Sequence, residues 1–445
     1  MPESGPSSVA PRPRRRKVTP KERSRRKREL RDFWLMLLLL ALSGNPVFAS
    51  PEPNRILVPI LAVILGARVL ARRKRSKKYR MVPVMAFFAF LVAVQAVHFM
   101  SLPLFTLVGL FCRLAVAYEL VVLISNFAGT YIRAMLALAI LSMVFFFTNL
   151  AGAAVGLDIA GATQRFALPA ATNTGSWTIL VHSFSEDPLD ATRNAGMFWE
   201  PGAFAGYLCL ALVFLCLLRQ RFSKRAFYMR FAILSGCLLT TQSTMGYVAF
   251  ALIILLAGLS ARQVKLRAKA GPIVAAASVL VAFAVLFANQ SFMLPKIEQS
   301  VLQSTTQYGS WQADRLGSLI FDFNYISARP LTGWGISDDT RLALDPDLGG
   351  AALTGRGNGM SDFAAKFGIP ALLLWIYCFY RVLLARVPGR AILAVTGTLV
   401  ILIMLNDECF LNYPLFLSFF FLANLRGARS FRPLRQPAAL QTCPD

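Results

Sequence analysis

The sequence predicts an all-α polytopic membrane protein of about twelve transmembrane helices, with two long loops on the outer side. Three observations carry that expectation. The 445 residues are 56% hydrophobic and 16% charged, with a mean hydropathy of +0.55, whereas soluble domains run near a quarter charged. The apolar residues come in blocks of about twenty, the length that crosses a bilayer core. The formal charge of +25 is gathered in short runs between those blocks, as cytoplasmic loops require. That distribution speaks for membrane topology and against nucleic acid as a partner.

Residues 1–32 hold Pro, Ser and twelve Lys or Arg, including Arg14-Arg15-Arg16-Lys17 and Arg25-Arg26-Lys27-Arg28. With so little apolar surface they are expected to form a disordered basic cytoplasmic arm. The block 33–49 ends in Val47-Phe48-Ala49, which resembles a signal-peptidase site. The basic region before it is long for a signal peptide, so an uncleaved first span is expected. Further apolar blocks lie at 56–71, 81–99, 103–124, 132–152, 202–218, 228–242, 246–260, 271–289, 368–385, 391–406 and 409–425, giving a transmembrane domain over 33–425 and a tail over 426–445. With the amino terminus inside, Arg72-Arg73-Lys74-Arg75, the basic runs within 219–230 and 262–269 and the tail all fall inside, and most acidic residues fall outside. The positive-inside rule then puts both termini in the cytoplasm.

Two outward segments, about 153–201 and 290–367, are longer than a compact connection needs, which marks them as functional. In the second, Leu316, Ile320, Phe323 and Ile326 repeat at helical spacing opposite Asp314, Arg315, Asp322 and Asn324, a pattern that suits a helix in the membrane interface. The seven cysteines lie mostly in apolar blocks and no outward loop carries a pair, so no disulfide framework is expected. Two histidines, His98 and His182, without a Cys/His cluster leave no zinc site of nitrogen and sulfur ligands.

Four stretches carry candidate chemistry. The first is Arg193-Asn194-Ala195-Gly196-Met197-Phe198-Trp199-Glu200-Pro201-Gly202 at the outer entrance to a span. Pro201 fits the first position of a helix and Glu200 favours its positive end, so Glu200 reads either as a helix cap or as a functional carboxylate. Trp199 and Phe198 read equally as interfacial anchors. The second is the polar turn Thr240-Thr241-Gln242-Ser243-Thr244-Met245-Gly246 between two spans, whose hydroxyls can also serve exposed backbone groups. The third begins at Asp314-Arg315 and runs to Arg329-Pro330-Leu331-Thr332-Gly333-Trp334-Gly335. The fourth is Gly357-Asn358-Gly359-Met360-Ser361-Asp362, ahead of Gly368-Ile369.

Together and in this order the four stretches resemble the O-antigen polymerase and ligase superfamily of bacterial glycan-assembly enzymes (the Wzy-type polysaccharide polymerases among them). The likeness covers roughly residues 190–385 and rests on an arginine before Phe-x-Glu-Pro-Gly, a Thr-x-Ser-Thr-x-Gly turn, an arginine-led outer helix ending in Pro-Leu-x-Gly-x-Gly, and Asn-Gly before a Gly-Ile span. The resemblance implies a C-type glycosyltransferase-like fold with a periplasmic active site. It also implies a glycan carried on undecaprenyl pyrophosphate as substrate, with a chain-length regulator and a flippase as accessory partners. The residue types suit that reaction. Arginine forks bind phosphate oxygens bidentately and keep their charge, and a carboxylate can take the proton of an attacking sugar hydroxyl.

Arg193 and Arg315 are therefore assigned to the pyrophosphate, and Glu200 to the acceptor hydroxyl with Asp362 in reserve. Arg356, Asn358, Ser243 and Trp199 are assigned to substrate binding. Ligases of the superfamily typically carry a histidine near Arg356-Gly357-Asn358 and often an arginine in the turn at Thr244-Met245; neither is present, which favours a polymerase over a ligase. Asp338-Asp339 and Asp345-Pro346-Asp347 offer oxygen ligands for a hard cation. Acidic clusters in Gly-rich loops are usually only solvated, so no metal or other cofactor is expected. Arg113 and Glu119 are ionisable residues within one span. Each is expected to pair with a neighbouring helix or a headgroup, the rival reading being a lipid-linked sugar transporter with Glu119 as proton relay.

Overall fold

The computed structural model describes residues 19–49, 51–71, 81–170, 176–186, 191–261, 315–344 and 358–423. The expected span at 271–289, Arg356 and Asp345-Pro346-Asp347 lie outside the described residues. Within them the chain is overwhelmingly helical. Helix α1 covers Pro20–Gly44, α2 Pro46–Ala49, α3 Pro51–Leu70, α4 Met81–Phe99, α5 Leu104–Leu123 and α6 Phe127–Ala154. Of these, α4, α5 and α6 are long and apolar enough to cross a membrane. After a short α7 (Ile159–Gln164) come α8 (Pro201–Leu217), α9 (Lys224–Thr240) and α10 (Thr244–Ala261). The last group is α11 (Arg315–Ala328), the short α12 (Asp338–Arg341), α13 (Gly359–Phe367), α14 (Ile369–Leu384), α15 (Ala391–Leu405) and α16 (Pro414–Leu422).

Helix α8 is apolar on every side, and each of its residues is buried. Such a helix has no face to offer solvent and belongs in the middle of a bundle; α6, α9, α10 and α15 surround it. The outer helices are the opposite case. In α4 and α6 less than a third of the apolar window is buried, and Val82, Phe90, Val97 and Phe147 point outward, as lipid-facing positions do. Packing between apolar helices in lipid rests on van der Waals fit and on polar links. Among those links, Trp375 Nε1 donates to the Phe416 carbonyl at 2.8 Å, Tyr131 Oη to the Tyr207 carbonyl at 3.0 Å, and the Leu415 N–H to Ser43 Oγ at 2.9 Å.

The bundle has two ends. At one, Asn45 donates to the carbonyls of Leu180 and Met197 at 2.7 and 3.0 Å, Gln95 to those of Thr332 and Lys366 at 2.6 and 2.9 Å, and Asn358 to Asn406 at 2.7 Å. This is the loop end. At the other, the Ser125 N–H reaches Asp32 at 2.9 Å, Arg133 lies 3.8 Å from Glu29, and Arg390 donates to the Leu259 carbonyl at 3.3 Å. This basic end also carries the run from Arg219 to Arg230. Both expected outer loops place their described parts at the loop end.

Several expectations need correction. The arm does not stay irregular to residue 32: α1 begins at Pro20, started by a reciprocal capping box between Thr19 and Glu22 and supported by an Arg25–Glu29 pair at 2.8 Å. The first apolar block is split at Asn45, whose side chain leaves to bind the outer loop. The fold is not strictly all-α, because Ser176–Thr178 and Ser183–Ser185 form an antiparallel hairpin with Trp177 opposite Phe184. The last block is helical only from Pro414; residues 406–413 form a turn at the loop end with a single 3-10 turn at Phe410–Asn412. The helix expected near 316–326 is present as α11, but of its polar side Asp322 is turned inward while Asn324 is exposed. Asp322 and Tyr325 are fully buried, whereas Phe323 is 64% exposed.

Candidate functional site

Pro201 opens α8 and Glu200 precedes it in extended geometry, φ −156° and ψ 163°, with its side chain making no capping hydrogen bond. The carboxylate goes elsewhere. A methyl group placed on Gly202 would lie 2.8 Å from Glu408 Oε1, 3.1 Å from Asp407 Oδ2 and 3.3 Å from Glu200 Oε1. Three carboxylates thus converge on one bare Cα at the amino end of α8, where unsatisfied N–H groups and the helix dipole favour negative charge. Glycine is what leaves room for them. Trp199 is half-buried, donates from Nε1 to Glu408 Oε2 at 3.3 Å, and sets its ring 5.1 Å from that of Tyr413.

Asp407 and Glu408 stand at the carboxyl end of α15, just past its last turn, and both are buried. That turn touches α13. A Cβ on Gly359 would fall 2.0 Å from the Glu408 carbonyl oxygen, so the start of α13 closes on the turn only because residue 359 has no side chain. Asn358 caps α13, its Oδ1 accepting from the Ser361 N–H at 3.1 Å while its Nδ2 donates to Asn406. Both ends of the Asn358 amide are thereby used to join the two segments.

Beneath this lies a buried ion network. Arg341, without exposed surface, pairs with Asp322 and lies 3.8 Å from Asp362. Ser361 Oγ donates to Asp322 at 2.6 Å, and Lys366 binds Asp362 at 2.6 Å, one helical turn away. Asn412 donates to Asp362 at 3.5 Å, and its carbonyl accepts from Arg113 at 3.4 Å. Cys409 senses the whole group: burial raises its thiol pKa, and Asp362, Asp322 and Glu200 push it the same way against Lys366. Glu200 and the Asp362 network therefore act on one neighbourhood.

Arg193 and Ser243 form the neighbouring wall. Arg193 is half-buried and its Nε donates to the Thr241 carbonyl at 3.2 Å. Asn194, fully buried, donates to Thr240 Oγ1 at 2.9 Å, and Gln242 returns a bond to the Thr192 carbonyl at 3.1 Å. Ser243 Oγ accepts from the Gly246 N–H at 3.1 Å, at the start of α10. The Thr-x-Ser-Thr-x-Gly turn is thus a clamp for the segment carrying Arg193. The Pro-Leu-x-Gly-x-Gly stretch has a comparable task. The Trp334 and Gly335 N–H groups donate to the carbonyls of Ala365 and Lys366 at 2.9 and 3.0 Å, and Gly333, at φ +67°, passes so near that a Cβ would meet Lys366 at 2.5 Å.

The structure therefore gathers Trp199, Glu200, Asn358 and Asp362 at the loop end, with Arg193 and Ser243 on the adjoining turn. Arg315 opens α11 at the same end; of it only the backbone position is described. Arg356 lies outside the described residues. Asp362 is held by Lys366 and Arg341 and works as the centre of the network. Glu119 sits elsewhere, in the middle of the α3 and α5 contact, its Oε1 2.9 Å from where a Cβ on Gly66 would stand. Sequence reasoning passed over Asp407, Glu408 and Arg341. One signal was available: Asp407 and Glu408 are the only carboxylates between Phe363 and Pro444. Among the described residues no group of three or more His, Cys, Asp or Glu has the arrangement of a metal site.

Residues 229–376 match the Wzy_C family model, described as O-antigen ligase. The matched segment runs from within α9 through the Thr240 turn, α11 and α13 into α14. It includes Ser243, Arg315, Arg356, Asn358 and Asp362, and leaves Arg193, Glu200, Asp407 and Glu408 outside. No curated protein matches the chain.

Proposed function

We propose that this member of the O-antigen polymerase and ligase superfamily is the polymerase that joins undecaprenyl-pyrophosphate-linked oligosaccharide repeats into an O-antigen or exopolysaccharide chain. The reaction takes place at the periplasmic face of the bacterial inner membrane, both termini being cytoplasmic. The observation that carries the reading is the convergence of Glu200, Asp407 and Glu408 on Gly202, beside Trp199 and at the end of the bundle that holds both long loops.

The chemistry follows from the parts. An acceptor sugar hydroxyl attacks the anomeric carbon of the lipid-linked glycan. The new C–O bond forms as the bond to the diphosphate oxygen breaks; the diphosphate leaves with the electron pair and the hydroxyl proton passes to a carboxylate. Glu200 takes that proton, with Asp407 and Glu408 beside it. Trp199 supplies a flat apolar face of the kind sugar rings pack on. Arg193, with Arg315 and Arg356, meets the negative charge that develops on the diphosphate, where a bidentate fork is worth most. No step needs a metal or other cofactor.

Purified protein given a single lipid-linked repeat is expected to produce a ladder of longer chains. Glu200→Gln, which keeps shape and removes charge, should slow this by 10²–10⁴-fold, the usual contribution of a positioned base; a full-rate variant would remove Glu200 from the mechanism. The likeness of residues 229–376 to the O-antigen ligase family supports a second reading, a ligase that moves a finished glycan to another acceptor. Products separate the two in cells. A polymerase defect leaves single repeats, whereas a ligase defect piles up long chains on the lipid carrier.

A further inference from the structure

Arg113 is a charged side chain within α5, a helix long and apolar enough to cross a membrane, where an ionisable group is costly and most often functional. Helices α5 and α16 pack side by side, Tyr118 against Phe421 with 5.5 Å between ring centroids, and Arg113 falls level with the start of α16. Its Nη1 donates to the Asn412 carbonyl at 3.4 Å. That oxygen belongs to the peptide plane shared by Asn412 and Tyr413. The plane is rigid, so the bond sets the direction in which the Tyr413 side chain leaves the backbone. The turn is held elsewhere as well. Asn412 Nδ2 donates to Asp362 at 3.5 Å, and the Tyr413 N–H to the Phe410 carbonyl at 3.1 Å. Pro414, which opens α16, confines the residue before it to extended backbone, and Tyr413 has φ −110° and ψ 149°.

What the turn presents is a second aromatic ring beside the converging carboxylates. The Tyr413 ring lies 5.1 Å from that of Trp199 with 32° between their planes, and both residues are half-buried. Trp199 is fixed at its Nε1 by Glu408. Burial raises the pKa of the Tyr413 hydroxyl to about 12; Cys409 and Glu200 push the same way and Arg113 opposes them. The phenol therefore keeps its proton as a donor, within electrostatic reach of both Glu200 and Arg113. Two inclined rings with a hydroxyl donor suit a sugar ring, whose C–H face packs on aromatic carbon while its hydroxyls take hydrogen bonds. A diphosphate would instead meet Glu200 and Glu408, charges of its own sign.

Given the glycan-transfer reading, on which this assignment rests, we propose that Trp199 and Tyr413 together form the platform for a sugar ring of the acceptor, and that Arg113 is the positioning residue that sets Tyr413 against Trp199. All three lie outside residues 229–376, so the sugar is recognised by a part of the chain separate from the matched segment.

The test uses full-length protein in neutral detergent with the lipid-linked repeat at varied concentration. Tyr413→Leu, which removes the ring, should raise KM about tenfold and leave kcat nearly unchanged, the pattern of lost binding. Tyr413→Phe, which drops only the hydroxyl, should raise KM about threefold. Arg113→Gln should reproduce the rise of Tyr413→Leu, and Arg113→Lys, which keeps a charged donor, should recover most of it. Binding is also read without turnover. The repeat added to Glu200→Gln protein should change tryptophan fluorescence saturably; the change should vanish with Trp199→Phe and need about tenfold more ligand with Tyr413→Leu. Binding here without polymer from the wild-type protein would remove the polymerase reading and leave the platform standing. A wild-type KM in Tyr413→Leu, an Arg113→Gln protein that melts lower at unchanged KM, or no saturable fluorescence change overturns the assignment.

Discussion

At the loop end, Arg341 is fully buried and answers two carboxylates, Asp322 and Asp362, with Lys366 and Ser361 completing the set. At the basic end, Arg386 and Arg390 donate to main-chain carbonyls, and Arg386 lies over the Phe214 ring. The first arrangement spends its cations inside the protein and ties α11, α12 and α13 into one body. The second gathers Arg219, Arg386 and Arg390 around one cavity. Buried charge at the loop end is therefore a structural fastener joining three helices, whereas at the basic end the described contacts of the cations are with carbonyls and rings.

The comparison is easiest to break at Arg341. Arg341→Met removes the buried cation that pairs with Asp322 and lies 3.8 Å from Asp362, while Lys366 still holds Asp362, and loss of one partner of such a buried pair costs about 3–5 kcal/mol. We expect a large fall in thermal stability with proteolysis at the loop end, and partial recovery in Arg341→Met/Asp322→Leu; a wild-type melting curve would show that the network holds nothing.

His182 gives the next largest effect. It is buried beside Phe145 and Phe184, and burial pushes its pKa down to about 4 from an ordinary 6.5. The unfolded chain takes up a proton near pH 6.5 while the folded one resists until about 4. Stability is therefore intact above pH 6.5 and is lost as pH falls toward 4, by about 3 kcal/mol at one pH unit per 1.36 kcal/mol. Hydrogen exchange should show the hairpin loosening over that window and His182→Phe abolishing the dependence, with the basic end unchanged.

Gly359→Ala forces a methyl group against the Glu408 carbonyl and should cost about 1–3 kcal/mol through overpacking. Polymer yield is expected to fall because α13 and the Asp407-Glu408 turn separate; equal activity would uncouple that turn from the site. The smallest change belongs to the basic end. Arg390→Gln should shift stability by no more than about 0.5 kcal/mol, read from the melting temperature in neutral detergent.

Much of this was legible in the sequence. The apolar blocks place α4, α5, α8, α10, α14 and α15 within a few residues, because twenty apolar residues in lipid have no alternative to a helix. Glu200-Pro201 announced a helix start. What pattern could not show was direction. Thr19 and Glu22 extended α1 into a stretch whose charge argued for disorder, a local cap outweighing composition. Asp322, read as the wet side of an interfacial helix, is buried because Arg341, nineteen residues on, supplies its counter-charge. Asp407 and Glu408 lay in plain view, but nothing near them in the chain pointed to Glu200.

The sequence by itself determined that the protein is a helical bundle of membrane character, since hydropathy is a sum over residues and needs no geometry. Only the tertiary structure decided which carboxylates meet at Gly202 and which arginines share a cavity. Those groupings join positions up to about two hundred residues apart, and proximity across such separations is set by how the helices pack.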